Sequence, residues 1–165
     1  MQIRSERPED TDAIRSLTTA AFRDMLYSSQ TEAMIVDALR DAGALTISLV
    51  AVQDGDLVGH VAFSPVAISD GSNGWYGLGP VSVRPDQQRK GIGLALIHEG
   101  LDRLQHIGAQ GCVVLGDPGY YSRFGFRNDP HLRYADAPPE YFQCLGFTAT
   151  FPRGEASYHP GFGAS

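Results

Sequence analysis

The sequence predicts an α/β (α+β) fold, a mixed and mainly antiparallel twisted sheet with helices on both faces. Three observations lead there. Residues 45–83 carry apolar alternation interrupted by two turn signals, which reads as three successive antiparallel strands. Residues 94–104 switch to helical spacing, and a continuous apolar run, Cys112-Val113-Val114-Leu115, follows. Strand, helix and strand between 75 and 116 then make one parallel crossover in an otherwise antiparallel sheet.

A short strand-like start precedes Pro8. Glu9, Asp10 and Asp12 stand where a helix dipole favours acids, and Ala13, Leu17, Ala20 and Ala21 follow at helical spacing. Ser29-Gln30-Thr31-Glu32 fits a capping box for a second helix, with Ile35, Leu39 and Ala42 on one face and Gly43 as its stop. Leu45, Ile47, Leu49 and Ala51 alternate as a strand, and Asp54-Gly55 turns the chain into Leu57–Phe63. Asp70–Gly74 turns it again into Trp75–Val83. Leu94, Ile97, Leu101 and Leu104 define an amphipathic helix running to about Ile107. The run at 112–116 is a strand buried on both faces. Tyr120–Phe126 reads as a short helix and turn, and the Pro- and aromatic-rich tail as one or two further strands.

The 165 residues are 42% hydrophobic and 19% charged, enough for one core, and no repeat or linker divides them, so residues 1–165 are expected to form a single domain. The N-terminus has no apolar h-region and no apolar run is long enough to span a bilayer. Cys112 and Cys144 are the only cysteines and belong to no metal-ligand cluster. A reducing cytoplasmic compartment and no metal are expected. The net charge of -6 argues against nucleic acid as a partner. Residues 1–60 hold 5 basic and 10 acidic side chains, whereas Arg84, Asp86, Arg89 and Lys90 give residues 84–90 a net charge of +2. A small cationic patch on an acidic chain suits a compact anion such as a phosphate group.

Gln88-Arg89-Lys90-Gly91-Ile92-Gly93 stands between a strand end and a helix start. The first N–H groups of a helix lack intrahelical acceptors and sit at the positive end of its dipole, so a diphosphate fits there. Gly91 and Gly93 open access to those N–H groups, and Arg89 and Lys90 add charge. A P-loop sequence is absent, and the third glycine of a dinucleotide fingerprint is missing.

The combination resembles the GCN5-related N-acetyltransferase (GNAT) superfamily. Its [QR]-x-x-G-x-[GA] signature after a V-x-P strand end matches Val83-Arg84-Pro85 and Gln88–Gly93. Its Tyr, basic residue and G-F motif matches Tyr121-Ser122-Arg123-Phe124-Gly125-Phe126. The resemblance covers residues 1 to about 127, and Gly116–Tyr121 with Tyr158-His159-Pro160 is similar to a bacterial subgroup. It implies an enzyme that moves the acetyl group of acetyl-CoA to a primary amine by direct attack in a ternary complex. The pyrophosphate would lie on residues 88–93. The pantetheine arm would pair with the backbone of Val81, Ser82 and Val83, across a splay between the strands holding Val81 and Val113. Gly77, Gly79 and Pro80 stand where such a strand bends.

By the same resemblance Tyr121 is the acid that protonates the departing thiolate, with Tyr120 as its rival, and a backbone N–H near Val81 meets the oxyanion. Glu32, His60, Asp117 or water alone stands as the base. Glu32 equally fits half of the capping box, His60 a packed strand histidine, and Asp117 a helix cap. A non-catalytic acyl-CoA-binding or sensing module is the alternative function. The acidic composition favours cationic acceptors such as polyamines, aminoglycosides or Lys side chains. The aromatic tail either completes the core or faces a second subunit in a homodimer.

Overall fold

The computed structural model describes all residues, 1–165. Its eight-stranded sheet consists of β1 (Gln2–Ser5), β2 (Ile47–Gln53), β3 (Asp56–Ile68), β4 (Trp75–Val83), β5 (Gly111–Leu115), β6 (Leu132–Arg133), β7 (Phe142–Gly146) and β8 (Gly154–Tyr158). The main order is β1-β2-β3-β4-β5-β7, with β8 added to the far end of β3 and β6 to β8. Pairing is antiparallel except for β4 with β5 and β6 with β8. The expected fold class and crossover are therefore found. No helix is long and apolar enough to cross a membrane.

Helix α1 (Thr11–Phe22) follows a 3-10 turn at Pro8–Asp10, and α2 is Glu32–Asp41. Helix α3 spans Ile92–His106, and the one-turn α4 spans Pro118–Tyr121. Leu49 packs in the cluster that holds Leu96 and Ile97 of α3, and its neighbour Val50 in the cluster that holds Ile14 of α1 and Val36 of α2. Successive strand residues point to opposite faces, so α3 covers one side of the sheet and α1 with α2 the other.

Double coverage explains where the periodicity misleads. β2 is buried on both faces from Ile47 to Ala51, so alternation there does not separate core from solvent. In α1 the inward face is Ile14, Leu17, Thr18 and Ala21, while Ala13 is exposed. In α2 it is Ile35, Val36 and Leu39, while Ala42 is exposed. Alanine is tolerated on either face, and only the larger side chains mark the core.

The expected Ser29 capping box does not form. α2 starts at Glu32 after Thr31, which makes no side-chain cap bond. The tail supplies three strands. Trp75, Val113, Phe142 and Cys144 form a second core cluster against which Phe151 and Tyr158 pack, so most tail aromatics close this chain's own core. Tyr141 is the tail aromatic left exposed.

One close approach governs how α3 sits on the sheet. A Cβ at Gly100 would collide with the fully buried ring of Phe63. Gly100→Ala improves helix propensity by up to about 1 kcal/mol but overpacks the core by about 1–3 kcal/mol. We expect net destabilisation of about 1–2 kcal/mol in urea denaturation. A more stable Gly100→Ala protein would contradict this packing.

Candidate functional site

The site begins where the sheet opens. β4 pairs with β5 only from Trp75 to Leu78, against Gly111 to Val114. Gly79 and Pro80, joined by a cis peptide, then bulge opposite the single residue Ala62 of β3. Past the bulge β4 continues along β3 alone, with Val61 opposite Val81, His60 opposite Ser82 and Gly59 opposite Val83. The Arg84 N–H donates to Val58 O at 2.9 Å, which makes the 58/84 pair hydrogen-bonded. Antiparallel pairs alternate, so Ser82 also turns its backbone groups to β3, and Val81 and Val83 turn theirs into the gap towards β5. The Gln88 Nε2 donates to Val83 O at 3.2 Å, leaving Val81 N–H, Val81 C=O and Val83 N–H at the open edge. Ser82 therefore departs from the expected set of strand contacts: its backbone faces His60 and its side chain is buried on the α1 side.

One mouth of the gap, on the α3 side, is a cavity of about 400 Å³ whose lining includes Val83, Gln88, Arg89, Gly93, Tyr120 and Arg123. The first hydrogen bond of α3 runs from Ala95 N–H to Gly91 O at 3.0 Å, so the N–H groups of Ile92, Gly93 and Leu94 are free for an anion. Gly91 has φ +84°, and Arg89 holds the same left-handed region at φ +65°, an arrangement that turns the loop tightly over the helix start. A Cβ at Gly93 would lie 3.7 Å from the Tyr120 hydroxyl, inside the cavity. Lys90 is not in the lining, and its ammonium stands 3.4 Å from Gln87 Oε1. Arg84 is paired with Asp86 at 2.7 Å. The second cation at this mouth is Arg123, which lies 4.5 Å over the Tyr120 ring and donates to Tyr120 O at 2.9 Å. Its place in the Tyr-x-basic motif was visible in the sequence, but its reach across to the glycine loop was not.

The other mouth, on the α1 and α2 side, is a cleft of about 460 Å³ that brings together Glu32, Val81 and Tyr121. Tyr120 and Tyr121 are adjacent in the single turn of α4 with their rings nearly perpendicular (85°) and 5.0 Å apart. They enter different cavities, Tyr120 the glycine loop and Tyr121 the cleft. Burial pushes the Tyr121 phenol up to about 12, so it stays protonated at neutral pH. Glu32 opens α2 and accepts from the Ser28 hydroxyl at 2.7 Å, which orients the carboxylate. Tyr134, Tyr158 and Phe162 of the tail also line the cleft, contributions that only long-range folding reveals.

Two base candidates are placed elsewhere. Asp117 caps α4, accepting from Gly119 N–H at 2.9 Å, and does not line the cleft. His60 is fully buried, with its Nε2 2.8 Å from Ser48 Oγ. Ser48 Oγ donates its one proton to Glu6, which Arg40 also holds at 2.8 Å, so Nε2 carries the imidazole proton. Neither residue reaches the place where Val81 and Tyr121 meet.

Comparisons with known proteins identify the family. A family model described as the acetyltransferase (GNAT) family matches residues 11–126. The Escherichia coli K12 protein called uncharacterized N-acetyltransferase YhbS is 43% identical over 134 residues, 79% of this chain and 76% of its own. The crystal structure of a GNAT family acetyltransferase from Brucella melitensis in complex with acetyl-CoA is 55% identical, with 98% of this chain and 97% of that one covered at a TM-score of 0.87. The Escherichia coli YhbS structure in complex with CoA superposes with a TM-score of 0.89 at 35% identity, covering 98% and 91%.

The buried imidazole has a measurable consequence. Desolvation outweighs the attraction of Glu6 and lowers the His60 pKa from 6.5 to about 4. Between those values the unfolded chain binds more protons, so stability falls as pH drops from 6.5 to about 4. The loss is on the order of 3 kcal/mol. Burial opposes ionisation of Glu6, but hydrogen bonds from Arg40 and Ser48 hold its carboxyl below the ordinary 4.5, and its contribution is lost only beneath that value. Urea denaturation at pH 7.5 and 5 should show the decline in the parent chain and a flatter profile in His60→Gln. Equal slopes would mean that His60 is not buried neutral.

Proposed function

The chain belongs to the acetyltransferase (GNAT) family and is an acetyl-CoA-dependent N-acetyltransferase; from that premise we propose that a primary amine attacks the thioester directly, in a ternary complex assembled through the gap in the sheet. The observation that carries this reading is the meeting of Glu32, Val81 and Tyr121 in one cleft, joined to the glycine-loop cavity along the free edge of β4.

The diphosphate rests on the N–H groups at the start of α3, among Gln88–Gly93, with Arg89 and Arg123 as its cations. The pantetheine amides pair with Val81 and Val83 as an added strand would, satisfying backbone groups that the sheet leaves free. The thioester then lies at the cleft, where the amine arrives from the opposite side. Glu32 takes a proton from the ammonium, directly or through water, and leaves a neutral amine as the nucleophile. The nitrogen bonds to the carbonyl carbon, and the Val81 N–H steadies the oxyanion. As the C–S bond breaks, the electron pair goes to sulfur and the Tyr121 hydroxyl supplies a proton, which the phenol regains from the acylated nitrogen. Because its phenol is held protonated, Tyr121 gives up the proton only as the sulfur develops charge. All these groups come from one chain, which supports reading residues 1–165 as one catalytic unit.

Tyr121→Phe keeps the ring but removes the donor, so kcat should fall about a hundredfold. The Kd for acetyl-CoA, measured by calorimetry, should stay within about twofold, because the phenol acts on charge present only in the transition state. Tyr120→Phe should keep most of the turnover. Full turnover by Tyr121→Phe with loss in Tyr120→Phe would transfer the role to the neighbour.

A further inference from the structure

We infer that the acceptor is a small primary amine carried on an aromatic body, an arylalkylamine, rather than a polycation. This rests on the acetyl-transfer reading above and names the substrate class of the same cleft. The overall charge of -6 is no guide to what the cleft holds. Nine of its twelve lining residues are hydrophobic, and Glu32 is the one charged side chain among them. A single carboxylate balances a single ammonium. A second or third cation, as in a polyamine or an aminoglycoside, would be desolvated against apolar walls with no counter-charge.

The walls also specify the body. Phe22, Tyr134, Tyr158 and Phe162 converge on the space beside Glu32 and Tyr121. Tyr134 stands edge-on to Tyr158 with centroids 5.3 Å apart, and Tyr158 is tilted against Phe162 at 5.0 Å. Such a set of rings offers edges and faces to one further aromatic ring. It also surrounds a cation with negative ring faces. The 3-10 turn at Pro160–Gly163 closes the cleft on one side by packing Phe162 against Ile35, Leu39 and Ala44. A cleft of about 460 Å³ walled in this way suits a small molecule.

The acidic residues that would favour a polycation lie elsewhere. Asp129, Glu140 and Glu155 line a pocket of about 650 Å³ that meets the cleft at Tyr134, and Asp136 and Glu155 line another of about 440 Å³ behind Tyr134, Tyr158 and Phe162. That arrangement makes the alternative testable, since a polyamine would need to extend past the Tyr134, Tyr158 and Phe162 rings to reach them.

The test takes the full chain, first titrated with acetyl-CoA by calorimetry and then assayed for CoA release with 2-phenylethylamine, spermidine and a lysine-containing peptide. We expect kcat/KM for 2-phenylethylamine to exceed the other two by about tenfold or more. Phe162→Ala should raise the KM for 2-phenylethylamine about tenfold while the Kd for acetyl-CoA stays within about twofold. Preference for spermidine or for the peptide, or no turnover of the arylalkylamine by a protein that binds acetyl-CoA, would overturn the inference and leave acetyl transfer standing. Failure to bind acetyl-CoA at all would overturn both.

Discussion

Past Leu78 the fourth strand has a hydrogen-bonding neighbour on one side only, and the rest of the site depends on that. Two residues of β4, Gly79 and Pro80, face one residue of β3. The bulge bends the strand away from β5 while keeping it bound to β3. The half-buried N–H and C=O of Val81 and the N–H of Val83 are left without a protein partner, a state that costs free energy unless something pairs with them. A ligand with amides spaced along an extended arm meets that need. Because the opening passes through the sheet, the two faces have different tasks. The α3 face presents helix N–H groups and two arginines, and the α1 and α2 face presents a carboxylate among rings.

The same opening explains how neighbouring tyrosines take different places. α4 is one turn long and capped by Asp117, and it carries Tyr120 to one side of the gap and Tyr121 to the other. Tyr120 lies under the Arg123 guanidinium and Tyr121 against Phe126 at 5.9 Å. An Asp117 that caps this turn is committed to holding the two tyrosines in place. His60, two residues before the strand residue opposite the bulge, is likewise occupied, tied through Ser48 to the Glu6–Arg40 pair. Of the three named base candidates, Glu32 alone has a carboxylate in the cleft.

Much of this was legible before folding because the signals are local. Spacing in 94–104 reports the buried face of α3, and the Gln88–Gly93 loop reports free N–H groups because a helix start always presents them. The fold class followed from period changes between 45 and 116. What stayed hidden depends on distant partners. Ser29 to Glu32 has the composition of a capping box, yet Ser28 takes the Glu32 carboxylate and the cap is not made. Ala13 and Ala42 match the helical period but are too small to decide a face. Tyr134, Tyr158 and Phe162 reach the cleft only because β8 pairs with the far end of β3. Net charge averaged over the chain likewise conceals that the cleft holds a single acid.

The central claim is that Val81 and Val83, and not Ser82, offer their backbone to the acetyl-CoA arm. Amide hydrogen exchange followed by NMR tests it residue by residue. In the free protein Ser82 N–H should already be protected by its bond to β3, while Val81 and Val83 exchange faster. Saturating acetyl-CoA should slow Val81 and Val83 by about tenfold or more and leave Ser82 where it was. Unchanged exchange at Val81 and Val83 in a protein shown to bind acetyl-CoA would contradict the account, because the ligand would then be held without the open edge of the sheet.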